Sequence, residues 1–393
     1  SGSDGREESP AMHLNPRSGR WNPDPSNLAH HIGIAVAYNV WQYYQVTGDL
    51  AYLIDHGAET LLEIARFWCS RTTYDGENDR YHIRGVIGPD EFHSGYPDRP
   101  YDGIDNNAYT NIMAVWVMLR AIDALESMPL ANRFDLCEKL RITDAELALW
   151  DHVSRRMFVP FHDSVISQFE GYEQLAELDW DAYRMRYGNI QRLDRILESE
   201  NDDVNRYRAS KPAGVWLLLS LRSSDELQKF LDRLAYSFEP QQIPKMVDYY
   251  VSRTSHGSTL SAVVHSWVLA RANRDHAMAF FRQGLDSDIA DSQGGTTSEG
   301  IRLAALAGSV DLVQRCFTGL ETRCDRLILS PNCPESLGKL EGPLRYRGAV
   351  IRLRVSGRSA EVSADLRDAP PVVVECRGRV EQLASGQTVR FTA

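Results

Sequence analysis

The feature that most constrains this chain is a change of hydrophobic period. From about residue 28 to residue 320 apolar residues recur at helical spacing, and beyond about residue 325 they alternate as in strands. The first helical stretch, 28–47, is expected to gather Ile32, Val36, Val40, Tyr43 and Tyr44 on one apolar face. Thr47-Gly48-Asp49 supplies a stop and a restart, and a second helix is expected over 50–70. Further helices are expected over 107–127 and 144–157, and near 187–199, 212–222, 224–236, 259–273, 275–285 and 298–317. Long connections remain at 71–106 and 237–257, and long loops in a compact domain are more often functional than idle. In the tail, 349–355, 360–364, 372–376 and 388–391 read as strands, punctuated by Gly357, Pro370, Pro371, Gly378 and Gly386. The expected architecture is mainly α over 1–325, followed by a small all-β domain over 326–393. Paired helices with long loops suggest an α/α toroid, though periodicity alone leaves other large helical folds open.

Composition narrows the function classes. With a net charge of −11 and no Lys/Arg-rich block, the chain lacks the clustered positive charge that nucleic acid requires. No apolar run reads as a membrane span, and residues 1–10 are polar, without the apolar segment of a secretion signal. The six cysteines are scattered and contain no CxxC pair, so reduced structural thiols in a cytoplasmic protein are expected, and no metal site.

The segment richest in chemistry is Gly88-Pro89-Asp90-Glu91-Phe92-His93, followed by Ile104-Asp105-Asn106-Asn107-Ala108-Tyr109-Thr110-Asn111. Gly88-Pro89 forces a turn, and two carboxylates and an imidazole follow on irregular backbone. The Asn-rich stretch opens the next helix, where Asn is a good cap. Cleavage of a glycosidic bond needs a carboxyl group that carries a proton to the leaving oxygen. On spacing alone, Asp90 and Glu91 fit that role and a plain loop-solvating role equally well.

These two segments resemble the catalytic region of glycoside hydrolase family 65, which contains maltose, trehalose, kojibiose and nigerose phosphorylases and a few hydrolases. Other segments are similar to the family in the same order. They are His13-Leu14-Asn15-Pro16 with Trp21-Asn22-Pro23-Asp24, the stretch Tyr38 to Tyr43, Gly57-Ala58-Glu59 with Ala65 to Trp68, His256 to Ser261, and Gly294 to Gly300. The resemblance implies an (α/α)6 barrel with a small β domain after it. It implies that Glu91 matches the general acid, that inorganic phosphate attacks the anomeric carbon from the opposite face, and that the products are β-glucose 1-phosphate and a released sugar. No cofactor beyond phosphate as co-substrate is implied. Asp90, His93, Asn106 and Lys211 would lie on the sugar side, with His256, Ser258, Thr259, Thr296, Thr297 and Arg302 on the phosphate side. A plain Ser/Thr helix cap is the other reading of both hydroxyl-rich segments. Exposed aromatic faces stack on sugar rings; Trp21 is a candidate, whereas Trp41 is expected in the core.

Two departures from the family pattern stand out. Pro212 and Gly214 follow Lys211 where Gln and Asp are usual, and proline cannot supply an amide. Arg302 stands where His is usual, and suits either a phosphate contact or a helix surface. The chain is also expected to begin inside the barrel region, so that a complementing N-terminal chain or a homodimer would complete it. A hydrolase on the same scaffold is the second reading; it needs a carboxylate base, with Asp248 or Glu299 as candidates. An inactive or merely sugar-binding remnant is the third. The Ser94–Gly103 loop beside Glu91 is the expected determinant of linkage specificity.

Overall fold

A computed structural model describes residues 5–270, 274–290 and 300–392. The described chain is mostly helical, with β structure concentrated at its C-terminal end. It divides into two compact units. One comprises residues 1–37, 61–261 and 293–296, and the other 38–60, 262–292 and 297–393.

The central helix of the first unit is Ala108–Glu126. Asn107 caps it, its side-chain oxygen accepting from the Thr110 amide at 2.9 Å. Fourteen of its residues are buried, from Ala108 to Leu125, because it is apolar on nearly every face. By length and composition this helix could cross a membrane. That corrects the expectation that no stretch would qualify, although its buried faces mark it as a core element. Asp144–Arg156 packs against it, with Thr143 accepting at its N-cap. Arg66, on Ala58–Ser70, holds Glu146 through two contacts of 2.7 and 3.1 Å.

The first long helix, His31–Thr47, differs from expectation. Ile34, Ala37, Trp41 and Tyr44 are buried, whereas Ile32, Val36 and Tyr43 are exposed. The spacing of the expected face was helical, but so is that of the 34/37/41/44 face, and only packing decides between two such stripes. The expected 50–70 helix is present but contains a wider π-helical turn at Leu53–Gly57. Gly48, at φ 67°, breaks the chain between the two helices, and Asp49 caps the second. The expected loop at 237–257 contains a helix, Ile243–Val251, whose Pro244 sits in the first turn. Proline there loses no hydrogen bond, because that N–H has no helical acceptor.

In the second unit, Thr388–Phe391, Ser359–Asp365, Ala349–Ser356 and Lys339–Tyr346 form one antiparallel sheet in that order. Arg379–Leu383, Val372–Cys376, Leu327–Leu329 and Glu321–Thr322 form another, in which 372–376 and 327–329 run parallel. Ile351, Val355, Val362, Val374, Leu383 and Phe391 share the core between them. The six cysteines are free thiols.

Candidate active site

The backbone leading to Glu91 is fixed on both sides. The Ile87 amide donates to the Leu28 carbonyl at 3.1 Å, and His31 Nδ1 donates to the Ile87 carbonyl at 3.1 Å. Burial pushes the His31 imidazole below its ordinary pKa, consistent with a neutral donor. Val86 bridges Ile104 across the loop. A side chain at Gly88 would overlap the Asn107 amide, so the turn before Asp90 and the cap of the central helix require each other. Glu91 itself has φ 59°, an uncommon conformation for a non-glycine residue, held by the frame around it.

Asp90 and His93, expected at the substrate, are 3% and 1% exposed and belong to that frame. Asp90 accepts from the Phe92 amide at 2.9 Å and faces His93 Nδ1 at 3.5 Å. His93 Nε2 donates to the Tyr207 carbonyl at 3.0 Å, and the ring packs on Phe169 and Tyr172. Asn106 is fully buried at φ 50°. Its oxygen accepts from the Ile83 amide and from Asn111, and its nitrogen meets Glu170 and His82. All three side chains use their polar atoms on the protein and so fix the backbone segments on which Glu91 sits.

Glu91 is different. Its side chain is 56% exposed, and Lys211 Nζ donates to its Oε2 at 2.8 Å. Lys211 lies between two tethers. Ser210 pairs with the 253–255 segment through Ser210 N to Arg253 O and Ser255 N to Ser210 O, both 2.9 Å. The Gly214 amide donates to Gln168 Oε1 at 2.7 Å, and the Gln168 carbonyl accepts from the Asn107 side chain at 3.1 Å. The 254–259 turn closes on Lys211: a side chain at Gly257 would meet Lys211 Cγ at 3.0 Å. Glu91, Lys211 and the His256–Thr259 turn therefore share one neighbourhood.

His256, at φ 58°, places Nδ1 3.1 Å from Ser261 Oγ. Burial, with a smaller contribution from Arg184, pushes its pKa down to about 4, so the ring is neutral near pH 7. Ser258 Oγ accepts from the Leu260 amide at 3.3 Å, and Thr259 opens the Thr259–Leu269 helix. Thr296, Thr297 and Glu299 lie outside the described residues. Arg302 belongs to the second unit, where its amide donates to the Asp288 carboxylate at 3.0 Å. Asp248 is exposed on Ile243–Val251. Trp21 is 63% exposed on the hairpin formed by Met12–Asn15 and Arg20–Pro23, and Trp41 is buried.

Glu91 lines a cleft of about 430 Å³ within the first unit. Its walls come from the N-terminal hairpin, the 87–94 loop, Tyr101 and residues 194–205. Sequence reading missed this last wall. Asn205, 2% exposed, accepts from the Ser94 and Gly95 amides at 3.0 and 3.2 Å and so ties down the 94–103 loop. Asp194 also lines the cleft. Burial pushes its carboxyl up, but Arg192 and Lys211 outweigh that and hold it below the usual carboxylate range. The run Asn201-Asp202-Asp203-Val204-Asn205 was the available signal, but its composition is that of any turn. Among the described residues, no group of three His, Cys, Asp or Glu is placed to hold a metal ion.

Comparison with known proteins adds to this geometry. Residues 1–311 match the glycosyl hydrolase family 65 central catalytic domain, and residues 320–383 match the family's C-terminal domain. An uncharacterized glycosyl hydrolase of Mycobacterium tuberculosis is 67% identical over 99% of this chain, which covers 29% of that protein. A trehalose 6-phosphate phosphorylase of Lactococcus lactis is 32% identical over 93% of this chain, which covers 46% of it. A solved structure, a putative kojibiose phosphorylase from the human microbiome, superposes with a TM-score of 0.73 at 20% identity. That match spans 92% of this chain and 50% of the other, and it shows a shared fold. The chain thus spans about half the length, or less, of these relatives.

Proposed function

The chain belongs to glycosyl hydrolase family 65, and from that premise we propose that it carries the acid side of an inverting phosphorolysis of an α-linked glucose disaccharide. The observation that carries this reading is the exposed Glu91 carboxyl on the cleft wall, held by Lys211, against which the hydroxyl-bearing 254–259 turn packs. Glu91 delivers its proton to the bridging oxygen as that bond breaks. Phosphate attacks the anomeric carbon from the other face as the glycosidic bond breaks, giving β-glucose 1-phosphate with inverted configuration and a released sugar whose oxygen carries the proton. Phosphate is already anionic, so the protein needs to hold it, not to deprotonate it. Ser258 and Thr259 offer hydroxyls for this, and neutral His256 offers a hydrogen bond without charge. Lys211 is the nearby cation. Its ammonium, held by Glu91 at 2.8 Å, can also donate to a sugar hydroxyl or a phosphate oxygen.

The named relatives include phosphorylases of a phosphorylated disaccharide and of neutral glucosides, which supports the reaction class and leaves the leaving group open. A cytoplasmic location is part of the reading, supported by the six free thiols. The test is incubation with maltose, trehalose, kojibiose and nigerose, with and without phosphate, scoring β-glucose 1-phosphate. Phosphate-dependent product is expected, and Glu91→Gln should lower the rate by about 10²–10⁴-fold with little change in melting temperature. Free glucose formed without phosphate would reject phosphorolysis in favour of hydrolysis.

A further inference from the structure

The cleft beside Glu91 has an acidic wall, and Lys211 reaches it only at its Glu91 and Asp194 side. Asp24, Asp194, Glu198, Asp202 and Asp203 line it together with Glu91, and no lysine or arginine does. Three of these carboxylates are matched by arginine: Asp194 by Arg192 at 2.7 Å, Glu198 by Arg20 at 2.7 Å, and Asp202 by Arg206 at 2.8 Å. Two are not. Asp203 accepts from the Asn205 amide at 2.8 Å and makes no ion pair of its own among the described residues, although the Arg206 guanidinium that pairs with Asp202 also acts on it through space. Asp24 accepts through Oδ1 from the Ser26 amide at 3.0 Å and from the Ser26 hydroxyl, and its only ionic neighbour among the described residues is His13 at 3.6 Å, whose side chain is 51% exposed and charged only when protonated. Asn22, also on the wall, keeps its amide nitrogen without a partner among the described residues.

From this charge pattern we infer that the leaving group accepted beside Glu91 is a neutral or cationic sugar, and that an anionic one, such as a sugar phosphate, is excluded. The inference rests on the reading of Glu91 as the acid, because it assigns this cleft to the part of the substrate that Glu91 protonates. The physical basis is repulsion. A phosphate dianion brought onto this wall loses its hydration and meets carboxylates whose neighbouring cations, Lys211, Arg192, Arg20 and Arg206, are already paired to them. Exclusion of this kind sets specificity without strengthening the binding of the correct partner. A hydroxyl-rich neutral ring meets the opposite situation. Its O–H groups donate to Asp24 and Asp203, and one of its oxygens can accept from the Asn22 amide. An ammonium on the ring would add a charge-assisted contact to Asp203.

The test uses a charge series of leaving groups. The disaccharide that turns over is compared with its counterpart phosphorylated on the leaving-group sugar, as kcat/KM at low and high salt. The neutral substrate is expected to win by at least about tenfold, with the gap narrowing as salt rises. Asp24→Asn with Asp203→Asn should narrow it further, a change that a merely structural role for these residues would not produce. Equal or better turnover of the phosphate ester would overturn the inference. Direct titration of glucosamine, glucose and glucose 6-phosphate, followed by saturation-transfer NMR, keeps the two proposals separable. If no glucoside is phosphorolysed but affinity still falls in that order, the charge rule stands and the reaction assignment fails. If glucose 6-phosphate binds best, or if none of the three binds, the charge rule fails.

Discussion

Gly257 provides a strict test of the site geometry, because it sits where the 254–259 turn meets Lys211. A methyl group there would press into the Gln191 backbone carbonyl, closer than carbon and oxygen ordinarily approach. It would also lie 3.0 Å from Lys211 Cγ and 3.4 Å from Ser255 Oγ. The flexible Lys211 side chain can give way, but the carbonyl cannot without moving backbone. Relief therefore requires the turn to retreat by about 1 Å, and overpacking of this kind costs about 1–3 kcal/mol. The loss should lower the melting midpoint by a few degrees in a chain of this size. The effect on catalysis should be larger. A displacement of about 1 Å between reacting groups can reduce the rate about 10²-fold, so Gly257→Ala should lose far more activity than stability. Gly342→Ala is the control, since nothing lies within 4 Å of its added carbon. Thermal melts and phosphate-dependent turnover of both variants decide the matter. A Gly257→Ala protein with normal melting and normal turnover would refute the placement of this turn against Lys211.

Three further outcomes are expected. Asn106→Ala removes a fully buried side chain that satisfies Ile83, Asn111, Glu170 and His82, and should cost about 2–4 kcal/mol in urea denaturation. His256 has its folded pKa lowered to about 4 from an unfolded value of 6.5, so the unfolded chain binds the proton more readily. Its penalty is absent above about pH 6.5 and grows as pH falls toward 4, so His256→Gln should make stability less sensitive to acid in that window, as read from melts across pH. Lys211→Met removes the charge partner of Glu91 and should both lower kcat/KM and change the shape of its pH profile, whereas a purely structural lysine would leave the profile unchanged.

The parts of this protein that were legible from sequence are those where a local rule and the final packing agree. Asn107 reads as a cap and is one, because the cap geometry involves only residues three apart. The switch from helix to strand near residue 325 reads correctly for the same reason. Lys339–Tyr346 was missed because Gly342 and Pro343 interrupt its alternation, yet the strand lies at a sheet edge, where proline is tolerated. The buried face of His31–Thr47 was misread because two stripes of similar spacing compete, and the winner is chosen by neighbours distant in sequence. The acidic wall at 194–205 was invisible for a related reason. An Asp-rich turn and half of a cleft look identical until the 94–103 loop, held by Asn205, is seen to close against it.

Within the catalytic segment itself, sequence and structure divide one motif into two kinds of residue. The sequence puts Glu91 forward as the acid and Asp90, His93 and Asn106 as sugar-side residues. Burial separates them: three are nearly or wholly inaccessible and hydrogen-bonded to the protein, and one is 56% exposed. A residue held at positive φ on such a frame owes its backbone conformation to the others, while its side chain is held by Lys211. It follows that changes in the frame should lower stability and activity together, while a change at Glu91 should lower activity alone. A motif of this kind is therefore better read as a single reactive group and the scaffold that makes its strained placement affordable than as a set of substrate contacts.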